Sequence, residues 1–412
     1  MNEYMTLSET SEYIGKSKET LRRWDKEGKL IAVREPISNY RVYRKSDVDS
    51  LFADFLDENI QETISNYVEP HNEYTVLELF AGAGGLAVGM EKVGLKCVAL
   101  NEIDKWACNT LRKNRPNWNV LEGDIKSFSF TEYENKVDMV SGGFPCQAFS
   151  YAGKKLGLAD ARGTLFYEFA RVVKEVKPPI CIGENVRGLL SHENGKTLQG
   201  MISILDEIGY NVVPVQVLKA INYNVPQKRE RLILVGIRKD IDLKYEYPKP
   251  FRKVYNLKDA LKKGELFDCD VPKSEGSKYP KSKIDVLRLV PQKGYWRDLP
   301  LDIQKEFMGG SFHLGGGKTG IARRIGWDEP CLTLTCSPAQ KQTERCHPEE
   351  TRPFTVREYA RIQTFPDDWK FEGSVAQQYK QIGNAVPVNL GKEVGYSIIN
   401  FLNSYYNLSK PK

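Results

Sequence analysis

At 412 residues the chain is long enough for two or three domains at about 150 residues each, and 41% hydrophobic against 28% charged residues permits a buried core. No run of about 18 apolar residues occurs, which argues against a membrane helix, and the start lacks a basic-then-apolar secretory pattern; a cytoplasmic protein is expected. Sixty Lys+Arg against 54 Asp+Glu, net +6, admit nucleic acid without demanding it, because affinity depends on where charges cluster. The eight cysteines include no CxxC pair, which argues against a disulfide scaffold, and most read as small buried apolar residues.

Residues 1–70 read as a separate domain. LSETSEYIG and KETLRRWDKEGKL predict two short helices joined near Gly15, with Leu7, Tyr13, Ile14, Leu21 and Trp24 facing inward. Arg22, Arg23 and Lys26 fall off that face. IAVREPISNYRVYRKSDV then predicts a strand, a turn over 36–39, a second strand and a helix capped by Ser46. The order resembles a winged helix-turn-helix of the MerR and excisionase type, whose second helix enters the major groove; a helical module for protein contact is the alternative. DENIQETISNYVEPHNE is polar and reads as a linker.

From residue 75 strands and helices alternate. TVLELF, KCVALNE, NVLEGDI, KVDMVSGGF, ICIGENV, NVVPVQVLKA and RLILVGIR predict strands. GGLAVGMEKVG, DKWACNTLRKN, GTLFYEFARVVKEVKP and TLQGMISILDEIG predict the helices between them. Such alternation calls for an α/β fold: a doubly wound, mostly parallel, Rossmann-like sheet with helices on both faces. After about residue 240 the rhythm is lost. Residues 246–354 are rich in Lys, Pro and Gly, with GGSFHLGGGKTG in their midst, and read as a small irregular domain. PVNLGKEVGYSIINFLNSYY is amphipathic and predicts a helix returning to the sheet. The expected division is 1–70, a catalytic part over 71–245 completed by 373–412, and a small domain over 246–372.

Four stretches carry chemistry. VLELFAGAGG runs a strand into a glycine turn that opens a helix, where Gly82, Gly84 and Gly85 let backbone approach a ligand. Glu102, 20 residues beyond Gly82, can take ribose hydroxyls; a structural turn without ligand is the plain alternative. GGFPCQAFS sets Cys146 at the carboxyl end of a strand, behind Pro145, where parallel sheets bind ligands. A cysteine there is placed as a nucleophile more naturally than as core, and as thiolate it needs positive charge nearby. IGENVRG puts Glu184 and Asn185 at another strand end, able to converge with Cys146. A partly desolvated Glu can hold a proton for donation. In VPQKRERL, Arg229 and Arg231 lie two apart and point to one side, suiting a phosphate or carbonyl.

FAGAGG, GGFPCQAFS, ENV, QKRER, RPFTVREYARIQTFPDDW and QIGNAVPVNLG follow the order and spacing of the DNA cytosine-5 methyltransferase family, from about residue 75 onward. The chain resembles a bacterial modification enzyme of a type II restriction–modification system. The resemblance implies that cytosine is flipped from double-stranded DNA, that Cys146 attacks carbon 6, and that Glu184 keeps the ring nitrogen protonated. Carbon 5 then takes the methyl group of S-adenosylmethionine. Arg231 would address the cytosine carbonyl and Arg229 the surroundings of the flipped nucleotide, with Gln147 and Ser150 on a mobile loop. It further implies a cofactor pocket of Phe80, Gly82, Ala83, Gly84, Glu102, Ile103, Asp124, Ile125, Pro145, Leu165, Asn384 and Val386. Ile103 stands where several members carry an aromatic ring. Arg352, Thr355, Arg357 and Glu358 would support the small domain, which would read a short site, GATC among the candidates, between 246 and 354. Cys331, Cys336, Cys346 and His347 match no common zinc spacing, and no metal is expected. An RNA cytosine-5 methyltransferase, or a regulator acting through residues 1–70 on operator DNA, are the alternative readings.

Overall fold

The computed structural model describes residues 4–14, 18–35, 40–48, 66–145, 164–313 and 320–408. It divides into two compact units, Met1–Ser65 and Asn66–Lys412.

In the first unit, α1 (Leu7–Ile14) and α2 (Lys18–Lys26) form the expected helix pair. Leu21, Trp24, Leu30, Tyr43 and Val48 make its core, and Arg22, Arg23 and Lys26 are exposed. The wing strands β2 (Val33–Arg34) and β3 (Arg41–Arg44) pair antiparallel. A strand not anticipated, β1 (Tyr4–Thr6), pairs with the other edge of β3. Three residues are too few to show the alternation by which a strand is recognised. Residues 45–48 are helical, so Ser46 lies inside that helix instead of capping it. Asp25 ties helix to wing, accepting from the Ala32 amide at 2.9 Å and from Arg41 Nε at 2.8 Å.

The second unit is built on an eight-stranded sheet. Its parallel part comprises β4 (Tyr74–Leu79), β5 (Leu95–Glu102), β6 (Val120–Glu122), β7 (Met139–Gly142) and β8 (Ile180–Val186). They lie in the order β8-β7-β4-β5-β6, so the chain reverses direction beside β4, where open α/β sheets bind ligands. The antiparallel β12 (Glu230–Arg238) extends the sheet beyond β8 and carries β9 (Tyr210–Val212) and β10 (Gln216–Lys219). NVVPVQVLKA is thus two strands, not one; Pro214, which lacks an N–H for a ladder, lies between them.

Helices α3 (Gly85–Glu91), α4 (Lys105–Asn114), α5 (Leu165–Val176) and α6 (Lys196–Glu207) follow the predicted segments. Their apolar faces and the strands fill two clusters on the sheet's two sides. The last two helices are α11 (Val375–Asn384) and α12 (Val388–Leu408), and α12 packs on α3 through glycines. A Cβ on Gly89 would lie 2.5 Å from the Val388 carbonyl oxygen, so the two backbones touch. The polar linker ends earlier than its composition suggests. Asn66 Nδ2 donates to Glu393 Oε2 at 3.0 Å, and the His71 amide donates to Asn403 Oδ1 at 2.9 Å, docking 66–71 onto α12.

Residues 246–372 carry α7 (Leu257–Leu261), α8 (Lys281–Leu287), α9 (Leu301–Met308) and α10 (Val356–Ile362). One cluster here gathers around Tyr279, Leu287, Trp296 and Met308. Much of its order comes from buried polar groups. Arg324 donates to the carbonyls of Val290 (2.7 Å), Leu287 (2.7 Å) and His347 (2.9 Å) and to Thr351 Oγ1 (3.0 Å). Thr355 and Glu358 form a capping box on α10, and Arg352 grips Glu358 with both Nη atoms at 2.7 and 2.9 Å. Part of the glycine-rich loop, 314–319, lies outside the described residues.

Candidate active site

The strand registers bring the motifs together. Leu79 pairs with Gly142 on β7 and with Asn101 on β5, and Gly142 pairs with Gly183 on β8. Phe80, Glu102, Gly143 and Glu184 are therefore each one step beyond that level, in a row at the carboxyl edge of the sheet. They line one cavity of about 580 Å³, within the size range of small-molecule sites.

At one end is the glycine turn. Phe80 has φ 55, an uncommon left-handed value that costs a side-chain-bearing residue about 1–3 kcal/mol. Gly82 has φ 55, and its amide donates to Glu102 Oε2 at 2.7 Å. Glu102 Oε1 accepts from the amides of Ile103 (2.8 Å) and Asp104 (2.7 Å). The carboxylate is thereby fixed, with a lone pair on Oε2 still available. Gly85 is where α3 meets the turn before α12: a Cβ there would lie 2.2 Å from the Val386 carbonyl oxygen. Phe80, Gly82, Glu102, Ile103, Asp124, Ile125, Pro145, Leu165, Asn384 and Val386 all line the cavity. Ala83 and Gly84 belong to the same turn but not to the wall. Ala83 is buried in the core, and a Cβ on Gly84, at φ 83, would meet Leu111 at 2.8 Å.

The other end is built by β8 and β12. Glu184 is buried, and Gly143 makes room for it; a Cβ on Gly143 would lie 3.0 Å from Glu184 Oε2. Arg231 forms an ion pair with Glu184 through Nε. Arg229, beside it, donates to the carbonyls of Leu334 (3.2 Å) and Gly383 (2.9 Å), and its Nε has no hydrogen-bond partner among the described residues. Burial raises the Glu184 carboxyl above its ordinary pKa, against the pull of Arg231 and Arg229. Burial, then Arg231, pushes Arg229 down to about 9, so it stays charged at neutral pH. Both arginines line the cavity, as their two-residue spacing implies.

Cys146, Gln147 and Ser150 lie outside the described residues. The wall leading to them is well fixed. The Phe144 ring packs at 5.1 Å on Phe166 and 5.4 Å on Phe169, over Gly183. Asn185 Nδ2 donates to the Phe144 carbonyl at 2.8 Å, two residues before Cys146. The described chain leaves at Pro145 and resumes at Thr164, next to Leu165; Pro145 and Leu165 are both wall residues.

Glu78, next to the carboxyl end of β4, is a wall residue that sequence reasoning passed over. Its carboxyl is buried, Oε2 has no hydrogen-bond partner among the described residues, and burial raises its pKa to about 8. The signal was present: a charged residue inside the otherwise apolar VLELF requires a reason. Cys336, Cys346 and His347 each take a protein partner, the Cys346 Sγ donating to the Glu350 carbonyl at 3.6 Å. Cys336 Sγ donates to Asn384 Oδ1 at 2.9 Å, and His347 Nδ1 accepts from the Glu350 amide at 3.1 Å.

The C-5 cytosine-specific DNA methylase family matches residues 74–400, which contain every element of this cavity. The chain belongs to that family. A second match, to the MerR helix-turn-helix family of regulatory proteins, covers residues 5–52. This methylase is 61% identical over 408 residues to the Type II methyltransferase M.Eco47II of Escherichia coli, covering 98% of this chain and 97% of that protein. It is 55% identical to M.PspPI of Psychrobacter sp. (strain TA137), with 94% of each covered. Among solved structures, the S. pombe Dnmt2 methyltransferase shares its fold at 17% identity, with a TM-score of 0.55 over 81% of this chain and 99% of that one. The methylase's activity is therefore transfer of a methyl group to carbon 5 of cytosine in DNA.

Proposed function

We propose that this methylase holds S-adenosylmethionine at the glycine-turn end of the cavity and a flipped cytosine between Glu184 and the paired arginines. The observation that carries the reading is the cavity itself: one space joins a glycine turn to a buried carboxyl facing two guanidiniums. The wall also fits a cationic sulfonium ligand, since Glu78 supplies a buried carboxyl with Oε2 unpartnered among the described residues. Glu102 would take the ribose hydroxyls on its open lone pair. Asp124, one of whose oxygens accepts from the Lys126 amide at 3.0 Å, would offer the other to the adenine amine. Ile103, 68% exposed, would give an aliphatic contact to the adenine. The bound cofactor supplies an electrophilic methyl group.

The chain's residues do the rest. The Cys146 thiolate adds to carbon 6 of the cytosine, and Glu184, whose affinity for a proton burial raises, gives a proton to the ring nitrogen so that electron density reaches carbon 5. Arg231 orients the cytosine carbonyl while keeping Glu184 in place. After methylation a base takes the carbon-5 proton, the ring nitrogen returns its proton to Glu184, and the sulfur leaves with its bond electrons. The small domain 246–372 would read the site, and the chain would protect its host's DNA, in the cytoplasm, from a partner endonuclease.

Incubation with labelled S-adenosylmethionine and mixed-sequence DNA, followed by bisulfite sequencing, reads activity, base and site at once. Cys146→Ala should lower methyl transfer by about 10⁴-fold with an unchanged melting temperature. Turnover near wild type in that variant would remove Cys146 from its role.

The first unit would bind operator DNA through α2. In the full chain, Arg22→Glu with Arg23→Glu should abolish retention of the region upstream of its own gene in a gel shift, leaving methylation intact. Equal retention by variant and wild type would reduce the unit to a scaffold.

A further inference from the structure

The turn carrying Asn384 and Val386 rests against the 331–336 segment backbone to backbone. A Cβ on Gly383 would lie 2.6 Å from the Thr335 carbonyl carbon and 2.7 Å from the Cys336 nitrogen. Close to this contact lie Gln227 and Gln363, both fully buried. Gln227 belongs to β11 (Gln227–Lys228), which pairs in parallel with β13 (Cys331–Leu332).

Their hydrogen bonds run in one direction. Gln363 Nε2 donates to the carbonyls of Ile382 at 2.8 Å and Ala385 at 3.2 Å. Only the amide nitrogen can satisfy two carbonyls, so this side chain has a single orientation. Its oxygen must then face Gln227, whose Nε2 donates to it at 2.9 Å. That in turn commits Gln227 Oε1 to accept, and it receives the Leu334 amide at 2.9 Å. The two side chains therefore form a directed relay from the Ala385 carbonyl to the Leu334 amide. A shift at either end strands a buried polar group, which makes the relay stiff. Neither glutamine is among the cavity's wall residues.

We propose that Gln227 and Gln363 are positioning residues that tie the cofactor wall at 384–386 to the 331–335 segment, so that filling the cofactor end orders that segment. The proposal rests on the reading above, which sets the cofactor against Asn384 and Val386.

The test is hydrogen exchange by mass spectrometry on the full chain with saturating S-adenosylhomocysteine, whose binding is first measured by calorimetry. In wild type the ligand should slow exchange at Leu334 by about tenfold relative to peptides of β8. In Gln363→Leu the ligand should still bind and still protect residues 80–102, while the additional slowing at Leu334 disappears. Gln363→Glu, which removes the two donors at constant volume, serves if the leucine variant does not fold. Retained Leu334 protection in a folded variant, or none in wild type that binds the ligand, overturns the proposal. Wild type that binds no S-adenosylhomocysteine is a separate result and sinks the cofactor reading itself.

Discussion

The sheet edge and residues 246–372 each bury arginine, and Arg229 and Arg324 use their donors differently. Arg324 in the small domain gives its donors to Val290, Leu287, His347 and Thr351, so its charge is spent on holding loops together. Arg229 at the sheet edge places two donors on the Leu334 and Gly383 carbonyls but lines the cavity and keeps Nε without a partner among the described residues. The donors of Arg324 build architecture, while the unmet Nε of Arg229 belongs to a residue that lines the cavity, where a ligand can meet it. An unmet buried donor costs about 1–3 kcal/mol, so a fold retains one only where something else is gained.

Three substitutions sharpen or break that contrast. The largest effect should come from Glu184→Gln, which keeps the shape and loses the transferable proton. Its kcat should fall by roughly 10²–10⁴-fold, with affinity for S-adenosylhomocysteine within about twofold of wild type. A loss confined to affinity would mean that Glu184 only shapes the pocket. Next is Arg324→Met, which strands several buried carbonyls. Urea unfolding should show a loss of roughly 3–5 kcal/mol, with activity per folded molecule retained. If the variant folds as stably as wild type, the hub is ornamental and the contrast collapses.

The smallest effect, and the most diagnostic in sign, belongs to Glu78→Gln. Burial holds this carboxyl near 8 in the folded protein, above its ordinary 4.5. A raised acid stabilises the fold fully below its unfolded pKa, and that contribution is lost as pH rises through the folded value. Ligand-free wild type should therefore lose stability between about pH 5 and 9, by a few kcal/mol at most, and the glutamine variant should lose less over the same window. Parallel urea titrations at the two pH values decide it.

The parallel sheet was legible because periodicity reports it: 75–240 alternates apolar strands with amphipathic helices, and each predicted helix there is present. The failures have local causes. β1 is too short to carry a pattern, Pro214 divides what composition reads as one strand, and residues 66–71 look like linker because their bonds to α12 are made by polar side chains. The small domain was opaque for a related reason. Its order depends on Arg324 meeting the carbonyls of Leu287, Val290 and His347, 23 to 37 residues away, and no spacing rule encodes such partners. The wall of the site could be read from strand ends and glycines, yet Glu78 was missed, although a lone acid within the apolar VLELF marked it. Ala83 and Gly84 share the turn's sequence but lie behind the wall, against the core.

The contact of Gly85 and Gly89 with Val386 and Val388 bears on how the enzyme is born. The glycine turn emerges early in synthesis, whereas the strip of backbone that closes it comes some 300 residues later, an extreme of long-range pairing that slows folding. A ribosome-bound chain that has not passed Val388 has a sheet and an open trough. It can present no finished methyl-donor pocket, so unfinished chains should neither sequester cofactor nor mark DNA.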